Sequence, residues 1–139
     1  MEEITIVVVD DHPLFRQGVV DTLSLESGFK VVGQTENGAE ALSMIRTLHP
    51  QVAVVDINLP GMSGQQITHQ VVQDKLPTRI VLLTGYDDHE QIIHAAWAGA
   101  APKCAKDIDP VRLIQTVKEV ARGIFVIENL VYDQKELEH

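Results

Sequence analysis

Three carboxylates, one hydroxyl and one ammonium stand out in this 139-residue chain because each directly follows, or ends, a short apolar run. Asp10 and Asp11 follow the run at 4–9, Asp56 follows 52–55, Thr84 follows 80–83, and Lys106 follows 101–105. Three carboxylates brought together repel one another, and each has its pKa raised unless a cation is present. Oxygen-only ligands suit Mg²⁺, which takes one or two carboxylates, keeps waters and completes its shell with a phosphate oxygen. That leaves one carboxylate free as a nucleophile. Lys106 offers a compact positive charge and Thr84 a short hydroxyl for phosphate oxygens, and phosphoryl transfer asks little more than such positioning. Singly, each residue has an ordinary role: a helix N-cap for Asp10 or Asp11, a turn for Asp56, a strand-end hydroxyl for Thr84, a solvated charge for Lys106. Their joint placement is what requires explanation.

The elements that must position these groups follow from periodicity. The runs at 4–9, 52–55 and 80–83 are almost continuously apolar, as expected of parallel strands buried on both faces; 30–32 and 101–105 are weaker. Amphipathic stripes lie between them. Phe15, Val19, Val20 and Leu23 form one, with Pro13 near its first turn; Ala41, Leu42, Ile45 and Leu48 form another, stopped by Pro50. Ile67, Val71 and Val72 belong to a third, Ile92, Ala95, Ala96 and Gly99 to a fourth, and Leu113, Ile114, Val117 and Val120 to a fifth that starts at Asp109-Pro110 and stops at Gly123. Strict strand–helix alternation predicts a doubly wound α/β fold: a parallel sheet, right-handed crossovers and helices on both faces. In such sheets ligands bind beyond the carboxyl ends of the strands, where all five chemical groups fall.

Bulk properties narrow the function class. The length suits one domain, and 45% hydrophobic with 22% charged residues is a globular composition. Net charge is −9 without a dense Lys/Arg cluster, so this stretch by itself is a poor ligand for nucleic acid. No apolar stretch is long enough to span a bilayer, no signal peptide is read, and the single Cys104 fits a reducing, cytoplasmic location. Cys104 is expected to pack as a small apolar residue. The six histidines show no metal-ligand spacing, and His12, next to the acidic pair, is not expected to carry phosphate when a carboxylate nucleophile is in place.

The chain resembles the receiver domain of bacterial two-component response regulators over residues 4–123. The resemblance rests on Asp10-Asp11, on Val-Val-Asp56-Ile-Asn-Leu-Pro60-Gly61-Met-Ser-Gly64, on Leu-Leu-Thr84-Gly85-Tyr86, and on Gly99-Ala100 followed by Lys106-Asp107. Asp-Asp-His12-Pro13-Leu14-Phe15-Arg16-Gln17-Gly18, with Val31-Val32-Gly33 and Asn37-Gly38, is similar to the NarL/FixJ subfamily, whose members usually carry a C-terminal LuxR-type DNA-binding helix-turn-helix. The resemblance implies a flavodoxin-like (βα)5 fold with sheet order 2-1-3-4-5. It implies Asp56 as phosphoacceptor, Mg²⁺ held by Asp11, Asp56 and the Asn58 backbone carbonyl with Asp10 acting through water, and Thr84 and Lys106 on the phosphoryl oxygens. Pro60 and Gly61 shape the following loop; Gly85 adjoins Thr84; Asn58 and Tyr86 flank the site, where bulky Tyr86 is expected to hinder the attacking water. A sensor histidine kinase is the implied phosphate source, DNA is reached only through a further C-terminal domain, and no membrane is involved. The domain promotes only its own phosphorylation and dephosphorylation and is not otherwise an enzyme.

Two positions depart from the family pattern. Lys103 stands three residues before the lysine, where receivers generally carry an aromatic switch residue, and its ammonium cannot enter an apolar pocket cheaply. Pro102 replaces the usual glycine, tolerable on an edge strand. Trp97 points sideways or outward from its helix stripe. It either packs on a neighbouring helix end or anchors a homodimer through the face of the 92–99 helix, the last strand and the helix after Pro110. Residues 1–123 are expected to be the receiver, 124–136 (an apolar patch, then a polar, helix-compatible stretch) the start of a linker, and 137–139 a tag scar. Competing readings are a stand-alone receiver acting as a phosphorelay shuttle or protein-interaction module, and a phosphatase of the haloacid dehalogenase kind. The phosphatase would need an Asp-x-Asp after the first strand, which Asp10-Asp11-His12 breaks.

Overall fold

The computed structural model describes residues 3–84, 103–105, 109–122, 124–127 and 130–133. Its main sheet has five parallel strands in the order β2-β1-β3-β4-β5: β1 Ile4–Val9, β2 Phe29–Thr35, β3 Val52–Asp56, β4 Arg79–Thr84 and β5 Lys103–Ala105. The expected doubly wound order is observed. Strand β2 runs longer than its apolar centre at 30–32 suggested, and its pairing with β1 shifts register between Ile6 and Val7.

The described helices are α1 Pro13–Ser24, α2 Gly38–Leu48, α3 Gly64–Gln73 and α4 Pro110–Ala121. Each of the last three starts on a side-chain cap that satisfies otherwise orphaned N–H groups. Asn37 Oδ1 accepts from Ala39 and Glu40 N–H, Asp109 Oδ1 from Val111 N–H, and Ser63 with Gln66 forms a reciprocal capping box. Helix α1 instead begins on Pro13, whose missing N–H costs nothing at the first turn.

Alternate residues of the central strands feed two apolar layers, because successive side chains point to opposite faces. Val7, Val9, Ala53, Val55, Ile80 and Leu82 pack with Ala41, Leu42, Ile45, Ile67 and Val71 of α2 and α3. Ile6, Val8, Val52, Val54, Val81 and Leu83 pack with Val19, Leu23, Leu113, Val117 and Val120 of α1 and α4. Leu48 and Val72, expected in buried stripes, are exposed at the margins of their helices, and Ile114 is only partly buried. Helix α4 ends at Ala121, short of Gly123. The stretch after it, expected to be an apolar patch and then a polar, helix-compatible start of a linker, pairs as an antiparallel ribbon of β6 Ile124–Ile127 and β7 Leu130–Asp133. Among the described residues no helix is long and apolar enough to cross a membrane. The expected helix around 92–99 lies outside the described residues.

Candidate functional site

Beyond the carboxyl ends of β1 and β3, three acidic side chains meet. Asp10, the residue after β1, is fully buried, and its N–H continues the ladder to the Thr35 carbonyl of β2 at 3.1 Å. Its Oδ1 accepts the His12 N–H at 2.8 Å, closing the turn that leads into α1, and Arg16 Nη1 braces its carbonyl at 2.8 Å. Arg16 is itself held by Gln34 on the adjoining strand, at 3.0 Å.

Asp56 is the last residue of β3 and 2% exposed. Its Oδ1 accepts the Asn58 N–H at 3.1 Å, and Ile57 N–H reaches the Leu83 carbonyl at 2.9 Å, so pairing with β4 holds the chain just past the carboxylate. The loop then turns through exposed Pro60 and through Gly61, whose φ of +83° an L side chain rarely adopts. It returns at Gly64, which starts α3. Gly64 N–H donates to the Ile57 carbonyl at 2.9 Å, and a Cβ there would lie 2.6 Å from the Asp56 carbonyl oxygen. Helix α3 can therefore sit directly under the Asp56 backbone only because residue 64 has no side chain.

One donor atom from each of Asp10, Asp11, His12 and Asp56 lies within 4.8 Å of all the others. Two of these carboxylates are buried, so their mutual repulsion is strong without an intervening cation. Asp11 Oδ1 is buried and accepts no hydrogen bond within the described structure; the His12 ring stands 3.2 Å from it. A hard divalent cation that prefers oxygen and keeps its own waters fits this donor set. Thr84 ends β4 and is buried; β4 is the strand paired with β3. Strand β5 pairs Lys103 with Leu82 and ends at Ala105, one residue before Lys106. Lys106, Gly85, Tyr86 and Trp97 lie outside the described residues.

The sequence-predicted carboxylates are thus brought together. What the sequence did not single out is His12 as a member of the cluster: its Nδ1 is 3.0 Å from Asp10 Oδ1, 3.2 Å from Asp11 Oδ1 and 3.8 Å from Asp56 Oδ2. The available signal was its position directly after the acidic pair, not a metal-ligand spacing.

Residues 6–118 match the family model described as the response regulator receiver domain. The chain belongs to the receiver family. Among relatives of this receiver is a transcriptional regulatory protein, NarL, of Mycobacterium tuberculosis, 40% identical over 126 residues that make up 91% of the chain. The chain spans 58% of that relative's length. The solved signal receiver domain of a NarL response regulator from the same species superposes with a TM-score of 0.86 at 40% identity, covering 88% of this chain and 99% of that one. A two-component response regulator of the LuxR family from Aurantimonas sp. SI85-9A1 gives a TM-score of 0.82 at 30% identity, covering 88% of this receiver and 87% of that chain. The NarL/LuxR-type likeness read from Asp10 to Gly18 is borne out.

Proposed function

We propose that this receiver accepts a phosphoryl group on Asp56 from the phosphohistidine of a sensor kinase. The carrying observation is the convergence of Asp10, Asp11 and Asp56 at the end of a 2-1-3-4-5 sheet, with Asp56 buried at the tip of the central strand β3. In this reading Asp11, Asp56 and the Asn58 carbonyl hold Mg²⁺ and Asp10 acts through a water. When bound, Mg²⁺ neutralises charge that builds on the phosphoryl oxygens. An Asp56 oxygen attacks phosphorus, the O–P bond forms as the donor's P–N bond breaks, and the electron pair leaves with the donor imidazole. The Asn58 N–H and the packing of α3 against the strand end fix where Asp56 points. Thr84 and Lys106 contact the phosphoryl oxygens, and Tyr86 shields the product from water. The domain is an acceptor that acts on its own phosphate, not a turnover enzyme.

Control of transcription would run through a LuxR-type DNA-binding domain joined after the receiver, in keeping with the 58% coverage of the NarL relative and with the acidic charge of the receiver. Homodimerisation through the face around Trp97 and Lys103 is the proposed relay.

Incubation with acetyl phosphate and Mg²⁺ followed by intact mass tests the chemistry. A gain of one phosphoryl group that is lost in Asp56→Ala supports the reading. A wild-type protein that gains no mass overturns it.

A further inference from the structure

We propose that Arg16 is a positioning residue of the cation site: by holding the Asp10 carbonyl it fixes the peptide unit from which Asp11 projects. This rests on the reading of the acidic cluster as a cation site and adds to it the residue that aims Asp11. Asp10 is tied to β2 through its N–H and Asp56 ends β3, but Asp11 sits in the turn between β1 and α1. Its direction depends on the two peptide units that flank it. Each unit is planar, so a hydrogen bond at either of its polar atoms restrains the whole plane. The unit before Asp11 is held at its oxygen, where Arg16 Nη1 donates to the Asp10 carbonyl at 2.8 Å. The unit after Asp11 is held at its nitrogen, where His12 N–H donates to Asp10 Oδ1 at 2.8 Å. Arg16 N–H also donates to the His12 carbonyl at 2.8 Å, so the guanidinium springs from the turn it braces.

Arginine suits this task because its N–H groups leave a rigid fork in different directions, which the point charge of lysine does not reproduce. Nε donates to Gln34 Oε1 on β2 at 3.0 Å while Nη1 reaches the end of β1. The position argues the same way. Arg16 is the fourth residue of α1, and a cation in the first turn meets the positive end of the helix dipole. The side chain is thus placed against the local field and held there by its two bonds. Charge and positioning then predict opposite signs. A guanidinium beside a cation site repels Mg²⁺, so its charge alone would make removal tighten binding. If Arg16 aims Asp11, removal weakens binding, because the ion must then order Asp11 itself.

Calorimetric titration of Mg²⁺ into the wild-type protein, Arg16→Ala, Arg16→Lys and Gln34→Ala tests this, with urea unfolding in chelator alongside. The expected result for Arg16→Ala is an affinity lowered about tenfold, at the low end of what outer-shell partners of metal ligands produce. Arg16→Lys keeps the charge without the fork and should stay below the wild type. Gln34→Ala leaves Nη1 its carbonyl and should lose less. An Arg16→Ala affinity equal to or above that of the wild type overturns the proposal, even where urea stability falls, since that pattern marks a merely structural tie. Should Arg16→Ala fail to fold, wild-type affinity in both Arg16→Lys and Gln34→Ala overturns it. Absence of Mg²⁺ binding to the wild type overturns the cation site itself, which separates the two failures.

Discussion

The two ends of the sheet use polar groups in opposite ways. At the end where the strands begin, polar atoms close the backbone. Thr78 Oγ1 donates to the Pro50 carbonyl at 2.6 Å, Gln51 N–H reaches both the carbonyl and the Oγ1 of Thr5 at 3.0 Å, and Arg79 N–H reaches the Gln51 carbonyl at 3.0 Å. At the end where the strands finish, Asp10, Asp11 and Asp56 crowd into one cluster that costs stability without a cation. The apolar layers run unbroken between the two ends, so the contrast does not come from packing. It comes from what the polar residues are placed to do: at one end they hold the chain, and at the other the chain holds them.

The sharpest way to break this comparison is to disturb the backbone support of the acidic end. Gly64→Ala would push a Cβ against the Asp56 carbonyl oxygen and to within 2.9 Å of Leu82 Cδ2. The first contact is with main chain, which cannot rotate away. We expect a loss of about 3 kcal/mol in urea unfolding, near the upper end for overpacking. A loss much below that would mean that α3 shifts freely beneath Asp56 and that the site is not held from below. At the opposite end, Thr78→Val keeps the shape but leaves the buried Pro50 carbonyl without its donor, at about 2 kcal/mol. A near-neutral result there would show that this end is not held by its hydrogen bonds.

Much of this was legible in the sequence, and the exceptions have physical causes. Strands β1, β3 and β4 are buried on both faces, so they appear as apolar runs whose last residues can be counted; that is why Asp10, Asp56 and Thr84 were placed correctly. Strand β2 lies at the edge of the sheet and is only partly buried, so Gly33 and Gln34 obscured its length. The ribbon of β6 and β7 was missed because 130–133 is a four-residue run that ends in Asp133 and leads into a polar stretch, which gives it the look of a helix or linker. Gly64 entered only as the last residue of the motif around Asp56; its reason is a close approach of backbone to backbone across the fold, which no local pattern reveals. His12 was missed because ligand spacing rules assume helix or strand periods, whereas a turn closed by Asp10 brings it to the carboxylates.

A smaller and opposite change sharpens the contrast. Asp11→Asn removes one charge from the cluster and should raise stability in chelator by about 1 kcal/mol, since partial exposure screens the repulsion. The same variant should lose the rise in melting temperature that Mg²⁺ gives the wild type, because binding to the folded state alone is what produces that rise. A variant less stable than wild type in chelator would contradict the view that the acidic end is strained by its own charge.

The smallest effect concerns charge used only to hold. Asp74 follows α3; its Oδ2 accepts from Gln70 at 2.9 Å and pairs with Arg46 of α2. The Gln70 hydrogen bond, and then Arg46, hold its pKa below the ordinary 3.8. A carboxylate whose folded pKa is depressed contributes stability above its unfolded pKa and loses it as pH falls through the folded value. The stability difference between wild type and Asp74→Asn should therefore be constant from neutral pH down to about pH 5, shrink through the acid range below 3.8, and vanish once Asp74 is protonated in both states. Both partners are partly exposed, so the plateau should be small, in the range of surface pairs. Acid should thus weaken the tie between α2 and α3. A difference that grows as pH falls would mean that Asp74 strains the fold as the clustered carboxylates do, and the two uses of charge would no longer be distinct.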